Sequence, residues 1–485
     1  MLTRLERLEI IPIVEHCNSE FSQLPQQDAS NGELVSIDGR KVIQFYEFTN
    51  TYLESFNCVY QVPYLFCKNG EPWTTANLYL YRLAKESLQN NKPNDHLRRV
   101  AWALLEYKVF CENNNLDIYD FSSLRPIGRP TYRFFRHLLD NCNIQGITLN
   151  RKTKYVYEFY KYISDIGKHN IDIRKVDITK SVKVSINTKY GYIEKDVEKR
   201  SQSVPVCSSS STVKVGFVRD EGEELRPLNN EEYLALIDGI NQFGFKTDQK
   251  LILFLALFTG ERKQTILTLR VSHLEQFNEA SLKEGGVYIL NVNTRNGADT
   301  KFNKPHTLYI PSFIVDKLRM WVESETYLKR VAKFRSLYGD IFSEKDMYIF
   351  LSREGNCHYM AKSDPRYIKC RTRPAGGNTK SISDRLIKLS NGKIPSNYTF
   401  HWLRATYALK LYQSFAPLLE SGELRIGDDI TVIQKRLHHT HRETTEGYLK
   451  LFTTLDERLF AQREYERKLF GDSDNDFTKD AINAF

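Results

Sequence analysis

Three short segments of this 485-residue sequence carry side chains that together can act on a phosphodiester. They supply guanidinium groups, imidazoles and a phenol. Each segment alone is a weak signal, so the prediction depends on their order, spacing and setting. The segments are Gly260-Glu261-Arg262, His401-Trp402-Leu403-Arg404, and Leu437-His438-His439 with Tyr448 nine residues after His439.

A phosphodiester resists nucleophiles because its anionic oxygens repel them and because the departing alkoxide is a poor leaving group. Arg262 and Arg404 are candidates for holding the non-bridging oxygens, since paired, charge-assisted hydrogen bonds neutralise the charge that develops in the transition state. Tyr448 is the candidate nucleophile. A tyrosine has a reference pKa of about 10, so it needs an electropositive site or a base before it can attack.

A general acid is the other requirement, because the departing 5′ oxygen needs a proton. Lys301 lies in NTRNGADTKFNKP, whose Asn-Gly and Asn-Lys-Pro mark turns between the strand-like segments GGVYILNV and HTLYIP. A lysine carried on such a hairpin can reach into a groove. Lys301 and His401 are therefore predicted to share the proton transfer with His439.

Helices are predicted to position the remaining groups. DQKLILFLALFTG is apolar on nearly all sides and belongs in a core, and Gly260 can end that helix in the left-handed conformation, which places Arg262 at the edge of the core. FHWLRATYALKLY has helical spacing, so His401 and Arg404 share one face. ITVIQKRLHHT and HRETTEGYLKLF predict two further helices, with Tyr448 inside the second.

Four helical patterns follow one another upstream, between about residue 77 and residue 166. Each places apolar residues at three- and four-residue intervals, which predicts a compact α-helical domain. Lysine and arginine interleaved with tyrosine on its exposed faces can bind phosphates and sugars, although an ordinary solvated helix face has the same composition. These basic residues are Arg98, Arg99, Arg133, Arg136, Arg151, Lys152, Lys154 and Lys161.

Composition fits this picture. The formal charge of +9 favours an anionic partner, with nucleic acid first and a generally basic surface as the alternative. The eight cysteines are scattered without a Cys-x-x-Cys pair, so they are predicted to be reduced thiols rather than zinc ligands. No apolar run is long enough to cross a bilayer and the first residues carry too many charges for a signal peptide, which predicts a cytoplasmic protein.

The motifs resemble, in order and spacing, those of the tyrosine recombinases, also called the phage integrase family. The matching motifs are Thr259-Gly260-Glu261-Arg262, His401-x-x-Arg404, and Leu437-His438-His439 with Tyr448. The segment from Thr300 to Pro305 is similar to the lysine-bearing β-hairpin of that family. The resemblance covers roughly residues 75 to 455, and its specific motifs lie in the C-terminal half.

The resemblance implies a multidomain fold: an α-helical core-binding domain joined to a mixed α+β, mainly helical, catalytic domain. The expected divisions are an N-terminal extension of unclear role, the core DNA-binding domain, a Ser- and Pro-containing linker, the catalytic domain and a C-terminal tail. In the same order, these cover residues 1–70, 71–182, 183–226, 227–465 and 466–485. The tail either docks on a neighbouring protomer or is a disordered acidic segment.

In activity, the resemblance implies a site-specific recombinase or integrase of a mobile genetic element that cuts and rejoins double-stranded DNA. Tyr448 would form a 3′-phosphotyrosyl link and release a 5′ hydroxyl, with Arg262, Lys301, His401, Arg404 and His439 as the other catalytic residues. Neither a metal nor a nucleotide cofactor is expected. The implied assembly is a homo-tetramer on paired DNA sites, with accessory DNA-bending or directionality proteins as further partners.

Four departures from the family pattern stand out. Thr265 occupies a position, three after Arg262, that is often acidic. His438 replaces a customary glycine, which raises the question of what its side chain packs on. Ala405 stands where a polar residue is common, and the hairpin is extended. Because of that extension, three basic residues are candidates for the general acid carried on the hairpin. Lys301 fits the pattern best, Lys304 is second and Arg295 is third.

Three other functions remain open at this stage. A zinc site could use His438, His439, His441 and His358, although no carboxylate or cysteine completes an evident set. A non-catalytic DNA-binding regulatory protein on the same scaffold is the second alternative, and intact Arg262, Arg404, His439 and Tyr448 argue against it. A type IB topoisomerase-like enzyme, which relaxes DNA with similar chemistry, is the third.

Overall fold

The computed structural model describes most of the chain from Leu2 to Leu451, and the chain divides into two compact units. One unit comprises residues 1–207 with 368–372, and the other comprises residues 208–367 with 373–485. The described residues are 2–15, 19–25, 33–37, 40–48, 58–90, 95–141, 143–167, 169, 171–188, 191–205, 213–214, 216–220, 222–242, 244–425, 427–440 and 442–451.

The first unit is a helical core flanked by antiparallel strands. Strand β1 pairs with β5, and β4 lies between β2 and β3 in a separate sheet. Its strands are β1 (Leu8–Glu15), β2 (Ser19–Pro25), β3 (Glu33–Ile37), β4 (Arg40–Phe48), β5 (Cys58–Leu65), β6 (Thr179–Thr188) and β7 (Gly191–Arg200). Its helices are α1 (Thr74–Gln89), α2 (Asp95–Asn113), α3 (Pro130–Asn141), α4 (Gly146–Asp165) and the short α5 (Ile173–Val176).

The core of this unit follows from the helical spacing of its apolar residues. On α4, Val156, Phe159, Tyr160 and Ile163 are buried, at the three- and four-residue intervals that the sequence predicts. The Tyr160 hydroxyl is 2.7 Å from that of Tyr107 on α2, so two buried phenols satisfy each other. All four predicted upstream helices are present as α1 to α4.

Part of the predicted linker, residues 183–226, is regular structure. Strands β6 and β7 pair antiparallel from Thr179–Arg200 to Thr188–Gly191, and residues 218–220 pair antiparallel with residues 223–225. Val182 and Val197 in the first hairpin are each 41% exposed. Because that ribbon is solvated, its sequence mixes charges with apolar residues and gives little strand signal. The predicted domain divisions stay predictions.

The second unit is mainly helical with small antiparallel sheets. Its strands are β8 (Val218–Asp220), β9 (Glu223–Leu225), β10 (Leu282–Lys283), β11 (Val287–Val292) and β12 (His306–Pro311). Its helices are α6 (Asn230–Gln242), α7 (Thr247–Thr259), α8 (Lys263–Leu267), α9 (Ser312–Glu323), α10 (Glu325–Tyr338), α11 (Asn378–Leu389), α12 (Trp402–Glu420), α13 (Asp428–Arg436) and, over residues 442–451, α14. The segment MYIFLS, residues 347–352, forms isolated bridges, Arg270 with Tyr348 and Leu351 with Cys357.

Helix α7 is the buried centre of this unit and ends as predicted. Gly260 caps it in the left-handed region with φ 65°. A Cβ at Gly260 would also collide with the Tyr407 ring on α12 and lie 3.0 Å from a methyl group of Leu437. Glycine is therefore required here both by backbone conformation and by close packing of α12 against the end of α7. None of the described helices is long and apolar enough to cross a membrane.

Candidate active site

Four of the predicted site residues converge on one carboxylate, that of Asp220 at the end of β8. Arg404 Nε donates to Asp220 Oδ2 over 3.0 Å, and the Tyr448 hydroxyl donates to the same oxygen over 3.2 Å. His439 Nε2 lies 3.7 Å from Oδ2, and the nearest Arg262 nitrogen lies 4.0 Å from Oδ1. Two guanidinium groups, an imidazole and a phenol thus surround a single anion.

Arg404 is the structural centre of this cluster. It lies in the first turn of α12 and is 2% exposed. Besides its bond to Asp220, it donates to the carbonyl of Gly260 over 2.7 Å and to the carbonyl of Leu437. A buried guanidinium needs such partners because an unpaired buried charge is costly. Arg404 therefore ties together β8 and the ends of α7 and α13.

The nucleophile candidate Tyr448 lies on α14 and is fully buried. The ring of His439 is stacked against it, with centroids 5.4 Å apart and planes 23° apart. His439 Nδ1 lies 2.9 Å from the hydroxyl of Thr445, which precedes Tyr448 by one turn of the helix. The histidine and the tyrosine are thus fixed to the same helix and orient each other.

The charges of this cluster follow from burial and from the arginines. Burial raises the pKa of Tyr448 well above its ordinary value, and Asp220 raises it further. Burial alone would also raise the pKa of Asp220, but the imidazole of His439 and the charge of Arg404 beside it hold that pKa far below its ordinary value. Burial lowers the pKa of His439 to about 4, although Asp220 opposes this shift. At neutral pH Asp220 is ionised, His439 is neutral and Tyr448 keeps its proton.

A cavity of about 320 Å³ opens onto Asp220, Arg262 and His439, and both hairpin lysines line it. Lys301 lies in a 3₁₀ turn, Lys301–Asn303, and Lys304 Nζ donates to the hydroxyl of Thr440 over 3.2 Å. The third candidate, Arg295, lies in the turn Thr294–Asn296, where its backbone N–H donates to Asn293.

His401 lies apart from the Asp220 carboxylate. It is the N-cap residue of α12, and its Nδ1 lies 3.0 Å from Oε2 of Glu223 on β9. It lines a separate cavity of about 550 Å³ together with Arg262 and Arg404. Arg262 therefore borders both cavities, with His401 and Arg404 lining one and the lysines and His439 lining the other.

Asp220 and Glu223 are functional candidates that sequence reasoning missed. Both lie in the predicted linker, whereas the position three after Arg262, which is often acidic in the family, is Thr265 and is fully buried. Asp220 supplies from a distant hairpin the carboxylate that Thr265 lacks. The only local signal is VRDEGEEL, in which Val218 and Leu225 flank an acidic turn with Gly222 at φ 84°.

The structure also shows what His438 packs on. Its ring stacks on that of His306 with centroids 4.0 Å apart and planes 12° apart, and its Nε2 lies 3.1 Å from Oε1 of Glu261. His438 and His439 therefore engage different carboxylates. His441, part of the alternative zinc set, lies outside the described residues.

No family model matches this sequence, and no curated protein matches it. Among solved structures, the chain is similar to the Tn1549 transposon integrase in complex with transposon right end DNA. The TM-score is 0.39 and the identity is 14%, and the match covers 80% of this chain and 98% of that chain. It is similar to the XerA recombinase, with a TM-score of 0.29 and 16% identity over 81% of this chain and 98% of that one. A λ integrase dimer bound to a core site gives a TM-score of 0.31 and 13% identity over 77% and 94% of the two chains.

These neighbours are integrases and recombinases, the class that the sequence motifs resemble. Such low scores and identities assign no residue and no activity to this chain. The case for a function comes from the geometry around Asp220.

Proposed function

We propose that this protein is a site-specific DNA recombinase that cuts and rejoins DNA through Tyr448. The observation that carries the proposal is the convergence of Arg262, Arg404, His439 and Tyr448 on one carboxylate. A carboxylate resembles the two non-bridging oxygens of a phosphodiester in charge and in spacing. A set of donors that binds the first is therefore suited to bind the second.

In the proposed reaction, the Tyr448 oxygen attacks the scissile phosphorus while the arginines bind its non-bridging oxygens. The neutral imidazole of His439 takes the proton of Tyr448, and a hairpin lysine protonates the departing 5′ oxygen with support from His401. The P–O5′ bond breaks as the P–O bond to tyrosine forms. A 5′ hydroxyl from another strand reverses these steps, so the bond energy is retained.

The contacts of Asp220 fit a DNA-free resting state. A tyrosine that donates to a carboxylate keeps its proton, and a phosphodiester brought to the same donors would repel the Asp220 anion. Asp220 must therefore give up its contact with Tyr448 before attack. Until then it neutralises the arginines and keeps the nucleophile protonated.

The rest of the proposal concerns partners. Residues 71–182 would bind double-stranded DNA, with Arg133, Arg151 and Lys154 as exposed phosphate-binding candidates. Recombination between two sites would use a homo-tetramer, and accessory DNA-bending or directionality proteins would set its outcome. A cytoplasmic protein of a mobile genetic element is the setting in which we place it.

The experiment that tests this proposal traps the covalent intermediate. Wild-type protein is incubated with a nicked suicide duplex in EDTA, and the adduct is resolved on a denaturing gel. We expect an adduct with wild type and none with Tyr448→Phe, which removes only the hydroxyl. Metal-dependent cleavage without an adduct would overturn the proposal.

A second measurement separates the alternative functions. Exchange of strands between two sites supports recombination, whereas relaxation of supercoiled DNA alone supports a topoisomerase-like enzyme. DNA binding without any adduct, on target sites recovered by selection from genomic DNA, would support a regulatory protein.

A further inference from the structure

A second buried carboxylate, that of Glu261, lies beside Arg262 and has two histidines as partners. Glu261 is 3% exposed. Its Oε1 lies 3.3 Å from Nδ1 of His306 and 3.1 Å from Nε2 of His438. The two imidazoles are stacked in parallel, as described above. One carboxylate oxygen thus holds together the α7–α8 junction, the start of β12 and the segment that follows α13.

The backbone conformation of His438 indicates that its side-chain contacts stabilise the fold. His438 has φ 54°, in the left-handed region that favours glycine. A glycine would adopt this conformation without strain, but it would offer neither a ring to stack on His306 nor a donor to Glu261. The side-chain contacts offset the strain of the backbone.

The same two segments are joined a second time, at the edge of the cavity. Lys304 precedes His306 by two residues, and Thr440 follows His438 by two. The hydrogen bond from Lys304 Nζ to the Thr440 hydroxyl therefore runs alongside the stacked imidazoles. Lys304 is thereby held next to His439, in the cavity that also exposes Arg262 and Asp220.

We propose that Glu261, His306 and His438 form a clasp that positions Lys304 as the acid for the departing 5′ oxygen. This inference rests on the proposed function and deepens it, because it selects Lys304 over Lys301. Glu261, His306 and His438 are positioning residues. In the step itself, the Lys304 ammonium gives its proton to O5′ as the P–O5′ bond breaks and the P–O bond to Tyr448 forms.

The three clasp side chains also offer ligand atoms within 4.8 Å of one another, which is close enough for a metal ion. Arg262 and Arg404 nearby disfavour a further cation. We therefore assign the cluster to direct contacts between the two imidazole nitrogens and the carboxylate oxygen.

A sulfur-substituted substrate tests the role of the clasp. When the bridging 5′ oxygen of the scissile phosphate is replaced by sulfur, the departing thiolate needs no general acid. Adduct formation is timed on the oxygen and sulfur substrates for His438→Gly, which relieves the backbone strain, and for His306→Phe, which keeps an aromatic ring. His273→Gln is the matched control, since His273 is a buried histidine whose Nδ1 accepts from the backbone of Arg270.

On the oxygen substrate, removal of the acid predicts a rate loss of about a hundred- to ten-thousandfold for Lys304→Ala, and a smaller loss for both clasp variants, which keep the lysine. On the sulfur substrate we expect all three to approach wild type. Lys301→Ala and His273→Gln should show no difference between the two substrates. Equal losses on both substrates, or a wild-type rate for Lys304→Ala, would overturn the inference.

A stability cycle tests the clasp without any DNA chemistry. If His306 and His438 act through Glu261, the loss of melting temperature in the His306→Phe/His438→Gly double variant should be smaller than the sum of the two single losses. Additive losses would show that there is no clasp. If wild type forms no adduct on either substrate, the proposed function fails, and with it the role of Lys304, whereas the cycle still decides whether the clasp exists.

Discussion

Two buried carboxylates, those of Asp220 and Glu261, lie close to Arg262, and they differ in the residues that contact them. Asp220 is bound by Arg404, whose charge is permanent, together with the hydroxyl of Tyr448. Glu261 is bound by two imidazoles, which can donate hydrogen bonds in either protonation state. The first site concentrates charge where an anion would react, and the second fixes distances between chain segments. Of these two neighbouring carboxylates, Asp220 therefore lies where an anion would bind, whereas Glu261 holds chain segments in position.

The largest effect should come from Arg404, the buried charge partner of Asp220 in the first site. Arg404→Lys keeps the charge but cannot reach Asp220, Gly260 and Leu437 at once, so it leaves buried polar groups unpaired. We expect a loss of about 3–5 kcal/mol in the free energy of unfolding, measured by urea titration. Arg442→Lys is the matched control, because Arg442 forms an exposed pair with Glu446 one turn along α14. A loss below that of the control would mean that the described contacts do not support the fold.

Acid should weaken the first site through His439. The folded protein lowers the pKa of His439 from 6.5 to about 4, so the unfolded chain binds a proton more readily. Stability conferred by the neutral imidazole is therefore complete above pH 6.5 and is lost as the pH falls toward 4, by up to about 3 kcal/mol. His439→Asn should lose less stability than wild type between pH 7 and pH 4.5 in urea titrations. Parallel curves for the two proteins would contradict this.

Asp220→Asn should have opposite effects on stability and on anion binding. Loss of the carboxylate leaves Arg404 without its charge partner, which should cost about 2 kcal/mol of unfolding free energy. Removal of the competing anion should strengthen the binding of sulfate, measured by calorimetry. Asp316→Asn, at an exposed pair with Arg319, should change neither property. Weaker sulfate binding by Asp220→Asn would show that the carboxylate supports the arginines rather than competing with the phosphate.

The smallest effect should come from Glu261→Gln. The imidazole N–H groups of His306 and His438 can still donate to the amide oxygen, so we expect a cost of about 1 kcal/mol, below that of Asp220→Asn. Urea titration of the two variants under one set of conditions makes the comparison. A larger loss of unfolding free energy for Glu261→Gln than for Asp220→Asn would mean that His306 and His438 are positively charged, as Arg404 is.

The sequence predicts well those features that depend on neighbouring residues. Helical spacing predicted α1 to α4 and α7, and the conformation of Gly260 follows from its place after an apolar helix. Asp220 could not be found in this way, because it lies 184 residues before Arg404 and in a segment whose charges resemble those of a linker. The stacking of His438 on His306 also depends on tertiary packing. One signal for this contact is present in the sequence: His438 occupies a position where a glycine is customary.

The three hydrogen bonds of Arg404 have a consequence for when the protein can react. They join positions 144, 33 and 184 residues away along the chain. Contacts between such distant positions form only when most of the unit has folded. A partly unfolded chain would therefore hold Tyr448 away from the arginines that activate the phosphate. The capacity to break DNA would then be acquired last, when the protein is complete enough to control it.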